Sequence, residues 1–187
     1  MNETRDQSRN LRLGALIAAL LVVGGLVYFL FIRDGEDTQP TGELSKRAPA
    51  VTVAEDDLDA VAESVGHEIY WAGPQDGAAI EVTETDPGNV FIRYLTEGAE
   101  AGDPEPNFLS VGTYPVKDAL GALEAAAKKD GAITAKLDGG GLAVTNSEDQ
   151  SSVYVAYPDS NLQVEVYAPD PDTAFEIATS GAIEPVS

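Results

Sequence analysis

The chain has 187 residues, 32 acids against 11 bases and no cysteine. That excludes disulfides, thiolate metal sites, a cysteine nucleophile and a lipid-modified N-terminal cysteine. From Asp34 onward 30 acids face 7 bases, a balance of -23 that repels nucleic acid and anionic headgroups, so no nucleic-acid partner is expected. The plainest reading of such acidity is a solvating surface, in keeping with saline surroundings.

Residues 1–12 carry Arg5, Arg9 and Arg12 and read as a cytoplasmic segment. Residues 13–32, LGALIAALLVVGGLVYFLFI, hold no charge and match the roughly 20 residues that a helix needs to cross a bilayer. Arg33 is followed at once by Asp34, Glu36 and Asp37, so the positive-inside rule predicts a cytoplasmic N-terminus and the bulk of the chain outside. Tyr28, Phe29 and Phe31 fall near the outer interface, where aromatic rings are favoured. A cleaved signal peptide would have a shorter apolar run and a nearby small-x-small site; Ala48-Pro49-Ala50 comes too late. The segment therefore reads as an uncleaved anchor on the cell membrane. Residues 33–50 are polar, with Pro and Gly, and read as a flexible linker.

Residues 51–187 read as one α+β domain. A capping box, Thr52-x-x-Glu55, predicts a helix whose apolar stripe is Leu58, Val61, Ala62 and Val65, stopped at Gly66. His67 to Ala72 is rich in strand formers and ends at Gly73-Pro74. Ile80 to Thr85 alternates, Asp86-Pro87-Gly88-Asn89 reads as a type II turn, and Val90 to Leu95 returns. After the acidic loop 97–107, a strand over 109–114 precedes a helix capped by Asp118, lined by Leu120, Leu123 and Ala127, with Lys128-Lys129 at its end. Ile133 to Leu137 and Leu142 to Thr145 bracket Asp138-Gly139-Gly140-Gly141, a hairpin signature.

The next hairpin, 153–157 with 162–167, has its register written in its alternation. Val155 opposes Val164 and Val153 opposes Val166 on one face; Tyr154 opposes Glu165 and Ala156 opposes Gln163 on the other. A last helix is capped by Asp170 with Pro171 at its first position and closes at Gly181; residues 183–186 read as a short edge strand. Hairpins interleaved with lone helices predict a mainly antiparallel sheet with about three helices packed on one face.

No constellation carries chemistry. His67 is the only imidazole, no G-x-S-x-G occurs, and Ser64 lies three residues before it across a helix stop. The Asp138-led glycine run lacks the Lys-Ser/Thr of a phosphate loop. Glu55-Asp56-Asp57-x-Asp59 and Asp170-x-Asp172 do not continue as a calcium loop; they supply acids to helix starts. Catalytic residues, metal and cofactor are accordingly assigned as none. The most suggestive group is aromatic: Tyr70 and Trp71 end a strand, and Tyr154 and Tyr167 take the outward face of the hairpin. Such rings beside acids suit a peptide or glycan surface; the competing reading is that helices cover both faces and the rings are core. The expectation is a non-enzymatic interaction module of the cell envelope, bound to the membrane through residues 13–32 and meeting an envelope protein or wall component. The alternatives are a hydrolase using carboxylates such as Glu68, Glu81 or Glu165, and a structural or sensor domain for another membrane protein.

Four stretches carry a resemblance: 66–74 (GHEIYWAGP), 91–95 (FIRYL), 111–116 (VGTYPV) and 164–167 (VEVY). There the chain resembles a group of uncharacterised actinobacterial single-pass membrane-anchored proteins. The resemblance spans most of the chain after the linker. It implies a bacterial cell envelope and brings no activity, ligand or catalytic residue with it.

Overall fold

A computed structural model describes residues 49–186 apart from residue 87. The anchor expected over 13–32 lies outside the described residues. Among the residues that are described, no helix is long and apolar enough to cross a membrane.

The domain is α+β, built on an eight-stranded antiparallel sheet. Its strands are β1 (Val51–Val53), β3 (Ala79–Thr85), β4 (Asn89–Leu95), β5 (Ser110–Pro115), β6 (Ala132–Lys136), β7 (Leu142–Asn146), β8 (Asp149–Ala156) and β9 (Leu162–Tyr167). They lie in the order β1-β3-β4-β5-β9-β8-β7-β6. A second, two-stranded sheet pairs β2 (Tyr70–Trp71) with β10 (Glu184–Pro185). The helices are α1 (Leu58–Val65), α2 (Ala119–Ala126) and α3 (Pro171–Thr179).

Alternation sorts the strand residues onto two faces. Val82, Ile92, Val111, Val166 and Val153 follow one another across five strands in register, and Ile80, Val90, Val164 and Val155 lie on the same face. This face is the main core. Leu58 of α1, Ala174 and Ala178 of α3, and β2 with Ile69 and Ala72 pack on it. The β8–β9 pairs are Val155 with Val164, Val153 with Val166, Tyr154 with Glu165 and Ala156 with Gln163, the register that the alternation predicts.

Helix placement departs from the sequence expectation. α2 packs against β7, β8 and β9, yet its buried Ala119, Leu123 and Ala126 stand apart from the main core. They meet the opposite face, where Val144, Tyr154 and Ala156 are buried. The helices therefore cover both faces. The reason lies in α2 itself: its small Ala and Gly positions suit close approach to a face that already carries polar side chains.

Three local expectations are corrected. Thr52 lies in β1 opposite Glu81 and caps nothing; a 3-10 turn over Glu55–Asp57 leads into α1, with the Ala54 N–H donating to Asp57 Oδ2 at 3.4 Å. Sheet pairing of Val51 and Val53 with Val82 and Ile80 outcompetes the local cap. Asp118 stands at the start of α2 but in left-handed backbone (φ 54), and its side chain makes no capping bond. Between β3 and β4, the Gly88 N–H donates to Thr85 O at 2.8 Å, so Gly88 (φ 93) is the fourth residue of the turn and not the third. The Thr85–Asn89 pairing leaves a three-residue loop, which requires a left-handed residue at its end. The last helix does start as read: Asp170 accepts from the Asp172 N–H at 3.3 Å, with Pro171 following.

Candidate functional site

The second face of the sheet concentrates the buried polar groups. Glu81, Thr83, Arg93, Gln163 and Glu165 are all buried, and alternation places all five there. Two clusters result.

In the first, Arg93 on β4 faces Glu81 on β3, their paired strand positions, with Arg93 Nη1 2.9 Å from Glu81 Oε1. Glu81 is wholly buried. Its other oxygen accepts from the Gly102 N–H at 2.5 Å. The second guanidinium nitrogen donates to Asp103 O at 3.0 Å and Glu105 O at 3.1 Å. Phe108 lies beneath the guanidinium, 4.8 Å from ring centre to carbon. The Gly/Pro loop 97–107 is thus folded down onto the sheet by one ion pair.

In the second, no cation among the described residues is paired with Glu165 on β9. Ser152 Oγ and Tyr154 Oη donate to Oε1 at 2.7 and 3.1 Å, and Tyr114 Oη donates to Oε2 at 2.5 Å. Burial raises the Glu165 pKa, and the three hydroxyl donors oppose that rise. Burial also raises the pKa of Tyr114 and Tyr154, with the Glu165 charge adding to it. Tyr114 reaches Glu165 because Gly112 leaves room. A Cβ at Gly112 would lie 2.9 Å from Tyr114 Oη. Phe91 meets the Tyr114 ring edge-on at 5.5 Å.

Glu81 and Glu165 share a face but stand three strand spacings apart, about 14 Å. That exceeds the roughly 5–10 Å at which paired carboxylates attack a glycosidic bond. Glu68 is exposed, outside the sheet, and joins neither cluster.

The four aromatic candidates do not form one surface. Tyr70 and Trp71 belong to the main core, each 8 % exposed. The Tyr70 ring stacks on Tyr157 at 6.2 Å, and its N–H donates to Thr113 Oγ1 at 2.9 Å. Tyr154, on the other face, is 7 % exposed and bonded to Glu165. Only Tyr167 is half-buried, its hydroxyl donating to Pro106 O at 2.9 Å. The expected outward face of the hairpin is covered because α2 and the loop 97–107 both fold over it. Sequence reasoning missed the Glu165 hydroxyl cluster. Its signal was present in the Tyr154–Glu165 pairing, but Tyr114 and Ser152 join only through strand order.

His67 ties a helix end to a turn. Its Nδ1 lies 2.7 Å from Glu68 O and its Nε2 2.8 Å from Gly88 O, so both ring nitrogens are engaged by backbone. The acidic clusters are exposed, at Glu55–Asp57 and around Asp170. Among the described residues no group of three or more His, Asp or Glu is placed to hold a metal. An open groove of about 610 Å³ lies between the start of α2 and the β8–β9 turn. Asp118 and Asp159, on its walls, are the described non-glycine residues with positive φ. Its carboxylates are exposed, and it holds no imidazole.

Comparison with protein families, with curated proteins and with solved structures found no match.

Proposed function

We propose that this chain is a single-pass membrane protein of a bacterial envelope whose domain, outside the cytoplasm, is a non-enzymatic interaction module. The topology rests on the uncharged run 13–32 and its flanking charges, and the bacterial setting on the resemblance given above. One observation supports the interaction reading most directly: each buried carboxylate is occupied in holding the fold. Glu81 is spent on Arg93 and the Gly102 N–H, and Glu165 on three hydroxyls. Both are buried away from solvent, and their strand positions stand about 14 Å apart, farther than a pair of catalytic carboxylates.

Two measurements test this. A reporter fused after Ser187 is active only outside the cytoplasm, and the mature protein retains the residues before Leu13; a processed N-terminus near Ala50 contradicts the anchor. The purified full chain, incubated with cell-wall glycan, releases no new reducing ends. Sugar release that disappears in Glu165→Gln makes it a hydrolase instead.

A further inference from the structure

The sheet ends at β6, which has β7 on one side and no strand on the other among the described residues. The backbone bonds beyond its two ends identify which groups are left over. The Leu137 N–H donates to Gly141 O at 2.9 Å, and the Ser147 N–H donates to Gly131 O at 2.8 Å. In an antiparallel ladder, bonded positions recur every second residue. Ile133 and Ala135 therefore bond to Thr145 and Ala143, whereas Ala132, Thr134 and Lys136 turn their backbone groups outward. The Ala132 N–H is taken by Lys129 O at 3.2 Å. What remains is a row of donors and acceptors at Thr134 and Lys136, with the carbonyl of Ala132.

The surroundings of this edge differ from the rest of the domain. Of the 32 acids six precede residue 49, and of the 11 bases six do, so the described span holds 26 acids and 5 bases. Arg93 is buried on Glu81. Three of the other four bases, Lys128, Lys129 and Lys136, are exposed and lie at the two ends of β6, with Asp130 and Asp138. Apart from these, 24 acids face Arg93 and Lys117. One of them, Glu148, next to the Ser147 that bonds Gly131, brings a further acid to the first end of β6, so the edge is of mixed charge, yet it gathers three of the four exposed lysines among the described residues. On its other side the strand presents Ile133 and Ala135, both half-buried, and Ala135 packs against the main core. An incoming strand with alternating side chains would extend the core with one set and meet Thr134 and Lys136 with the other.

The opposite edge offers less. β1 has three residues, and Pro49, which has no N–H, stands two residues before it. Acids at Glu55–Asp57 crowd its exit.

We infer that the free edge of β6 is a strand-addition site for an extended, acidic segment of a partner polypeptide. The inference rests on the reading of the domain as an interaction module and names its contact. A second copy of this chain is a poorer occupant. Symmetric pairing about Thr134 would set Asp138 against the partner's Asp130, and each copy carries a large negative charge.

The test uses the full chain in detergent and two blocked synthetic peptides, one alternating glutamate with valine and one alternating lysine with valine. At ten times its Kd, the glutamate peptide should slow hydrogen exchange of the Thr134 and Lys136 amides about tenfold and leave those of Ile133 and Ala135 unchanged. Thr134→Pro removes an outward N–H without touching the β7 ladder and should abolish that protection. The charge reversal Lys128→Glu with Lys136→Glu should weaken it on the order of tenfold. If Thr134→Pro fails to fold, the exchange pattern of the unaltered chain still decides the matter. No protection, or equal protection by the lysine peptide, overturns the inference. Protection that needs no peptide and rises with chain concentration overturns it too, in favour of self-pairing. Should the edge fail while the chain still releases no sugar from wall glycan, the module reading stands with its contact elsewhere. Sugar release dependent on Glu165 would instead sink the module reading, whatever the edge does.

Discussion

The two faces of the sheet are made by alternate residues of the same strands, yet they are held by different physics. On the first face Val153, Val155, Val164, Val166 and Val111 are at most 1 % exposed and make a dry core whose stability is set by apolar burial. On the second, Glu81, Arg93, Glu165 and Tyr154 are buried as well, but as bonded polar groups. Burial without a partner is costly for such groups, so the Glu81 and Glu165 clusters depend on pairing where the first face depends on volume. A face can therefore be closed to solvent and still read as polar in sequence.

The largest effect is expected where a partner is removed from the polar face. Arg93→Met leaves the Glu81 carboxylate buried without its cation and frees the loop carbonyls of Asp103 and Glu105, so it should cost roughly 3–5 kcal/mol. Chemical denaturation of Arg93→Met, of Glu81→Met and of the double variant measures this. The double should recover much of the loss, because no isolated charge then remains. Additive losses would mean that the two faces obey the same rule.

On the apolar face, Val164→Ala should cost roughly 1–3 kcal/mol from lost burial and partial cavity formation. Gly112→Ala should fall in the same range by a different route, since its Cβ drives Tyr114 off Glu165. A Tyr114→Ala background should rescue the Gly112 change and leave the Val164 change untouched. If rescue extends to both, the faces are not independent.

Titration separates the faces more finely. Because burial raises the Glu165 pKa in the folded state above its ordinary 4.5, the native chain holds this proton more tightly than the unfolded chain does as pH rises past that ordinary value. The stability this contributes is fully present below that ordinary value and falls away as pH rises through the folded pKa. Melting temperature against pH should show this decline in the native sequence and less of it in Glu165→Gln. Matching profiles would mean that the cluster does not titrate as a unit of the fold.

The smallest effect concerns Thr83, whose buried hydroxyl has no hydrogen-bond partner among the described residues. Thr83→Val keeps its shape and removes the unpaired group, so it should be neutral or stabilising by up to about 1 kcal/mol, read as a small rise in Tm. A loss of more than that would show the hydroxyl to be bonded in solution.

Sequence alone determined the local content of this protein. Period-two alternation set the register of β8 and β9, the turn residues marked the hairpins, and Asp170-Pro171 marked the start of the last helix. These depend on neighbours in the chain, and steric and hydrogen-bonding preferences over a few residues suffice to express them. The tertiary structure decided which faces were covered. Strand order brought β5 beside β9, and so placed Tyr114 and Gly112 next to Glu165, from positions about fifty residues away. It also laid α2 and the loop 97–107 over the face that alternation had assigned to solvent, which turned Tyr154 from a surface candidate into a core donor. Alternation reports only that two sets of side chains point in opposite directions. Whether both sets are buried depends on long-range packing, whose loop-closure entropy and burial free energy are not written in any short stretch of sequence.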